Sequence, residues 1–115
     1  MKIFSTLALA VGLMISSGAV AFAHPPTDVV ASNWKFIPGL ITVHVGEATT
    51  LHVTSAEGVH GLQSDDLGIN KTVIVPGKFT DITFTPKKAG TYTLHCAIPC
   101  GAKHDDMVIV IKVVA

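Results

Sequence analysis

The chain predicts a single all-β domain, a sandwich or barrel of short strands. Three observations carry that reading. Apolar and polar residues alternate with period two through most of the chain. Turn signals such as Pro38-Gly39, Gly46-Glu47, Pro76-Gly77 and residues 86–90 recur about every eight to twelve residues. No segment sustains a helical period.

Residues 1–23 have a different character. Lys2 opens a short basic start, residues 3–15 are mostly apolar, Gly12, Ser16, Ser17 and Gly18 break the run, and Ala21-Phe22-Ala23 closes it in an A-x-A pattern. This is the pattern of a secretory signal peptide. It predicts cleavage after Ala23 and a domain of residues 24–115 in the periplasm or outside the cell. A retained membrane anchor is the alternative, and the interruptions in the apolar run oppose it.

Loss of Lys2 leaves seven lysines, no arginine and eight acidic residues, a net charge of −1. Recognition of nucleic acid or an anionic membrane surface needs clustered basic charge, which this chain lacks. No second apolar run is long enough to span a bilayer. A domain this small gains usefully from a bound metal, and it is expected to be a monomer.

The elements follow in order. Residues 24–26 form an extended lead-in, and residues 29–36 read as one strand ended by Pro38-Gly39. Residues 40–45 place Ile41, Val43 and Val45 on one face and Thr42 and His44 on the other; residues 49–54 place Leu51 and Val53 inward and His52 outward. Residues 55–58 are a loop leading to Val59-His60-Gly61, and residues 65–70 are a longer loop. Residues 72–75, 79–85 and 91–96 read as strands. Residues 107–114 are almost all aliphatic, the pattern of a strand buried on both faces.

The chemistry concentrates in residues 92–107, where Cys96, Cys100, His104 and Met107 have the spacing C-x3-C-x3-H-x2-M. Two thiols, an imidazole and a thioether form a soft donor set, which suits copper(I), zinc or an iron–sulfur cluster. Cys96, Cys100 and His104 would share one face of a helix, but Pro99 and Gly101 oppose a helix and favour a loop between strands. In an oxidising compartment a Cys96–Cys100 disulfide competes with metal binding. A tetrahedral zinc site would leave Met107 unused, and Met107 by itself could be core. His60 is the candidate for a further imidazole.

This loop resembles the binuclear copper (CuA) loop of cytochrome c oxidase subunit II and nitrous oxide reductase. Cys96, Cys100, His104 and Met107 fall on its pattern without a gap, and Cys100-Gly101-Ala102-Lys103-His104 is similar beyond the donors. Val59-His60-Gly61, Pro76-Gly77, Phe84-Thr85 and Gly90-Thr91-Tyr92 match the surrounding framework from about residue 33 onward. The resemblance implies an antiparallel, cupredoxin-like Greek-key β-sandwich holding two copper ions bridged by Cys96 and Cys100. His60 would bind one ion and His104 the other, with Met107 and the Ile98 backbone carbonyl as weak axial ligands. A single copper is the runner-up and zinc the third reading. A pair that shares one electron changes little on reduction, which implies one-electron transfer.

Two departures bear on the role. The oxidase subunit carries transmembrane helices ahead of this domain, where this chain is expected to have a cleavable signal peptide, and large polar aromatics are limited to Trp34 and Tyr92. The expected partner is a c-type cytochrome or another redox protein. The alternative role is copper delivery or storage, with a copper acceptor protein as partner. No Ser/His/Asp set or carboxylate pair points to catalysis, so the chain is not expected to be an enzyme. His44 and His52, outward on neighbouring strands, read as surface residues rather than a second metal patch. His95 faces away from Cys96, and His24 would become the new N-terminus.

Overall fold

The computed structural model describes residues 25–115. The expected signal peptide and His24 lie outside the described residues. Nine strands follow in order: β1 (Thr27–Ser32), β2 (Lys35–Ile37), β3 (Leu40–His44), β4 (Thr49–Ser55), β5 (His60–Ser64), β6 (Ile69–Ile74), β7 (Thr80–Phe84), β8 (Gly90–His95) and β9 (Val108–Val114). A 3-10 turn at His104–Asp106 is the one helical element among the described residues. None of their helices is long and apolar enough to cross a membrane.

The strands form a four-stranded sheet in the order β2-β1-β4-β7, a three-stranded sheet β3-β9-β8 and a β5-β6 pair. Period-two alternation puts every second side chain of the two larger sheets into the space between them. One sheet contributes Val29, Ala31, Phe36, Leu51, Val53, Ile82 and Phe84; the other contributes Ile41, Val43, Leu94, Ile109, Ile111 and Val113. Each fully buried aliphatic side chain contributes about 1.5–3 kcal/mol, and together they form one continuous core.

The alternation expected from the sequence is present in β3, β4, β7 and β8, with three differences. Residues 29–36 are not one strand. Asn33 and Trp34 turn the chain, and β2 folds back antiparallel on β1 with Ala31 opposite Phe36. The sandwich is not purely antiparallel, because β1 runs parallel to β4 and β3 runs parallel to β9. These pairings join strands distant in sequence, so no hairpin turn sets their direction. Finally, β9 is buried on one face only. Ile109, Ile111 and Val113 are buried, Val108, Val110 and Val114 are half-buried, and Lys112 is exposed. It is the middle strand of a sheet that packs against a partner layer on one side.

The β5-β6 pair carries Leu62, Ile69 and Ile74 into the core, with a register shift between Leu62 and Ser64. It places His60 opposite Ile74 at the start of β5. A bond from the Ala97 N–H to the Gly61 carbonyl, 2.9 Å, ties the start of β5 to the segment after β8. The fold thereby brings residue 60 against residues 96–107.

Candidate metal centre

The 96–107 segment leaves β8, crosses one end of the sandwich and returns into β9. The Cys96 N–H donates to the Met107 carbonyl at 3.0 Å, closing the base of the loop as a continuation of the β8-β9 ladder. Local bonds shape the rest. The His104 N–H donates to the Gly101 carbonyl at 3.2 Å, and the Met107 N–H donates to the His104 carbonyl at 3.2 Å.

The six residues singled out from the sequence meet at this end. The donor atoms of His60, Cys96 and Cys100 lie within 4.8 Å of one another. The Cys96 Sγ is 3.9 Å from His60 Nδ1 and 3.3 Å from the Ile98 carbonyl oxygen. The Cys100 Sγ is 3.5 Å from His104 Nδ1 and 3.8 Å from Met107 Sδ. The arrangement has two halves. His60, Cys96 and Met107 are buried, while Cys100 and His104 are half-buried. Both cysteines are free thiols. Burial and the neighbouring Cys96 thiol push the Cys100 thiol up to about 11.

The orientation of His60 has an identifiable cause. Its Nε2–H donates to the Glu57 carbonyl at 2.8 Å. A carbonyl only accepts, so the proton sits on Nε2 and Nδ1 is left free to face the thiols. The Ser55 hydroxyl sits 3.0 Å from that same carbonyl oxygen and 2.6 Å from the Gly58 carbonyl, holding the turn from within the core. Gly58 has φ +76°, and a Cβ there would stand 2.8 Å from Asn33 Oδ1 and 3.1 Å from His60 Nε2. The turn therefore needs a glycine both for its backbone conformation and for space beside the imidazole. Sequence reasoning found His60 but missed Ser55 and the Glu57 carbonyl. A serine and a main-chain oxygen carry no spacing signal.

The remaining described histidines stand apart. His95 is exposed where Cys96 is buried, as alternation predicts. His44 is exposed on β3, while His52 on β4 lies in the opposite sheet. His52 Nδ1 is 2.6 Å from Asp81 Oδ1 and its ring stacks on Phe79 at 4.3 Å. The expectation that His44 and His52 sit on neighbouring strands is therefore corrected: β3 and β4, consecutive in sequence, belong to different sheets.

The donor set fits copper. It consists of two thiol sulfurs, two imidazole nitrogens and a thioether, soft or borderline ligands without a carboxylate among them. Residues 5–110 match the family of the cupredoxin-like domain. The chain belongs to that family. Among curated relatives, this cupredoxin-like chain is 31% identical over 86 residues to cytochrome c oxidase subunit 2 of Thermus thermophilus, covering 73% of this chain and 63% of that protein. It is 33% identical over 97 residues to the same subunit of Cyanidium caldarium, covering 83% of this chain and 38% of that one. The chain thus spans less than two thirds of the length of these relatives. Among solved structures, the periplasmic domain of subunit II of cytochrome oxidase of Bradyrhizobium japonicum superposes with a TM-score of 0.71 at 21% identity, covering 80% of this chain and 85% of that one. A heme-copper terminal oxidase dimer contains a chain with a TM-score of 0.69 at 24% identity, covering 81% and 68%. These structural likenesses establish the cupredoxin fold.

Proposed function

We propose that the chain is an exported copper protein whose centre takes two ions and carries out one-electron transfer. The observation behind this reading is the convergence of His60, Cys96 and Cys100 within 4.8 Å, with His104 and Met107 both set against Cys100. Cys96 and Cys100 would bridge the ions, His60 and His104 would each bind one, and Met107 and the Ile98 carbonyl would be the weak axial ligands. A copper pair in this place supplies a one-electron donor and acceptor. The chain's own part is to hold the ligands in advance: the Glu57 carbonyl orients His60, the sandwich core anchors Cys96 and Met107, and the 104–106 turn positions His104.

The domain would comprise residues 24–115 after removal of residues 1–23. It would act in the periplasm, as the name of its Bradyrhizobium structural neighbour suggests, with a c-type cytochrome or another redox protein as partner. On this reading it is not an enzyme by itself but serves an oxidase or reductase.

Metal analysis and an EPR spectrum of the copper-loaded protein test this. Two coppers per chain with one electron shared over both is the expected result. A four-line single-copper spectrum, or one zinc and no copper, would overturn the two-ion reading.

One observation favours a second reading, copper delivery: Cys100 and His104 are half-buried, so that half of the site is open to an acceptor. Mixing the loaded protein with reduced cytochrome c and with an apo copper acceptor separates the two roles. Prompt copper loss to the acceptor, with no electron taken from the cytochrome, would select delivery.

A further inference from the structure

Among the described residues, one buried side-chain nitrogen or oxygen has no hydrogen-bond partner: the indole Nε1 of Trp34. Trp34 sits in the turn between β1 and β2, and its ring is otherwise half-buried. An indole N–H can only donate. Burying it unmatched is costly, and such a group calls for an explanation.

Its neighbour supplies one. Gly101, directly after Cys100, has φ +133°, and a Cβ there would stand 2.9 Å from Trp34 Nε1 and 3.2 Å from Cζ2. The nitrogen-bearing edge of the indole therefore rests on the backbone of the ligand loop. Trp34 and Cys100 are also packed, each partly buried, against the same core cluster.

We propose that the Trp34 indole N–H donates a hydrogen bond to the Cys100 sulfur when the centre holds copper, making Trp34 a positioning residue for the loop. The proposal rests on the copper reading above. A thiol sulfur is a weak acceptor, and here the Cys100 Sγ is engaged with His104 and Met107. Metal ligation requires the thiolate, whose charge makes it a strong acceptor. Loading therefore creates, one residue from Gly101, the acceptor that the indole lacks. Hydrogen bonds to ligating sulfur withdraw electron density and so tune the potential of the metal they serve.

The chain has a single tryptophan, so its indole N–H gives one resolved proton–nitrogen NMR signal. Titration with copper(I) alone, a closed-shell ion, should move that signal downfield and slow its hydrogen exchange about tenfold or more, as a bond to a charged acceptor requires. Trp34→Phe, which keeps a ring but removes the N–H, should bind the same amount of copper with a lower midpoint potential and shifted sulfur-to-copper absorption bands. An indole signal unmoved by copper uptake overturns the proposal, as does a Trp34→Phe protein with wild-type potential and spectrum. If that variant fails to fold, the titration of the unaltered protein decides alone. Copper uptake with a silent indole removes this inference and leaves the copper reading standing; absence of uptake removes both.

Discussion

His60 hydrogen-bonds the Glu57 carbonyl through Nε2 at 2.8 Å, and that contact decides which nitrogen faces Cys96. The ring is fully buried. Its orientation is set three residues upstream by a main-chain oxygen, and the predictions below start from that dependence.

Ser55→Ala should loosen the turn that carries this carbonyl. The hydroxyl lies within bonding distance of two carbonyl oxygens, shares its one proton between them and is itself buried. Its loss should cost about 0.5–1.5 kcal/mol of metal-free stability, the net worth of one intramolecular hydrogen bond. Urea unfolding measures this as a lower midpoint with an unchanged slope. An unaltered midpoint would mean that the backbone holds the turn without the hydroxyl.

Cys100→Ser and Met107→Leu should separate bridging from axial roles. Cys100 stands between His104 and Met107 and shares the short-range cluster with Cys96 and His60. Cys100→Ser leaves one bridging thiolate where the pair would have two, so the variant should hold fewer than two coppers per chain. Met107 is fully buried, and leucine nearly conserves its volume, so the fold should lose less than about 1.5 kcal/mol. Met107→Leu should keep its copper with a changed potential. Copper stoichiometry and potentiometry read both variants, and the opposite pattern would reverse the two roles.

Copper uptake by the metal-free protein should be proton-coupled. Burial and the nearby Cys96 thiol raise Cys100 to about 11, so the proton stays on sulfur at neutral pH and must leave when a metal binds. Raising the pH toward that value lowers the cost of removing it, so apparent affinity should rise with pH. Competition with a copper(I) chelator at several pH values between about 6 and 8 would show this trend. A flat profile would show that the loop releases no thiol proton on binding.

The sandwich was largely legible in the chain because a strand's burial pattern is local. Leu51 and Val53 alternate with His52, and Ile109, Ile111 and Val113 alternate along the last strand; burial follows that alternation. The loop residues Cys96, Cys100, His104 and Met107 were legible for a related reason. Four donors within a dozen residues must come near one another whenever a loop closes on the β8-β9 ladder.

What the chain concealed depends on contacts between distant segments. Alternation says which side chains point inward but not which strand lies alongside, so the parallel pairing of β1 with β4 and of β3 with β9 came from the tertiary structure alone. The same holds for the splitting of residues 29–36 at Trp34. Buried Val29 and Ala31 are out of step with buried Phe36, and only the pairing of β2 back on β1 shows that the chain reverses between them.

By itself, then, the sequence determined the donor atoms and the alternating core, because both are written in side-chain identity over short spans. The tertiary structure decided which nitrogen of His60 faces the thiols, which half of the site is open and what lies over the loop. Those depend on the direction of a carbonyl at Glu57, the depth of Cys96 against that of Cys100, and a ring from the β1-β2 turn. Each is a matter of how separate segments are brought together, and no local pattern encodes it.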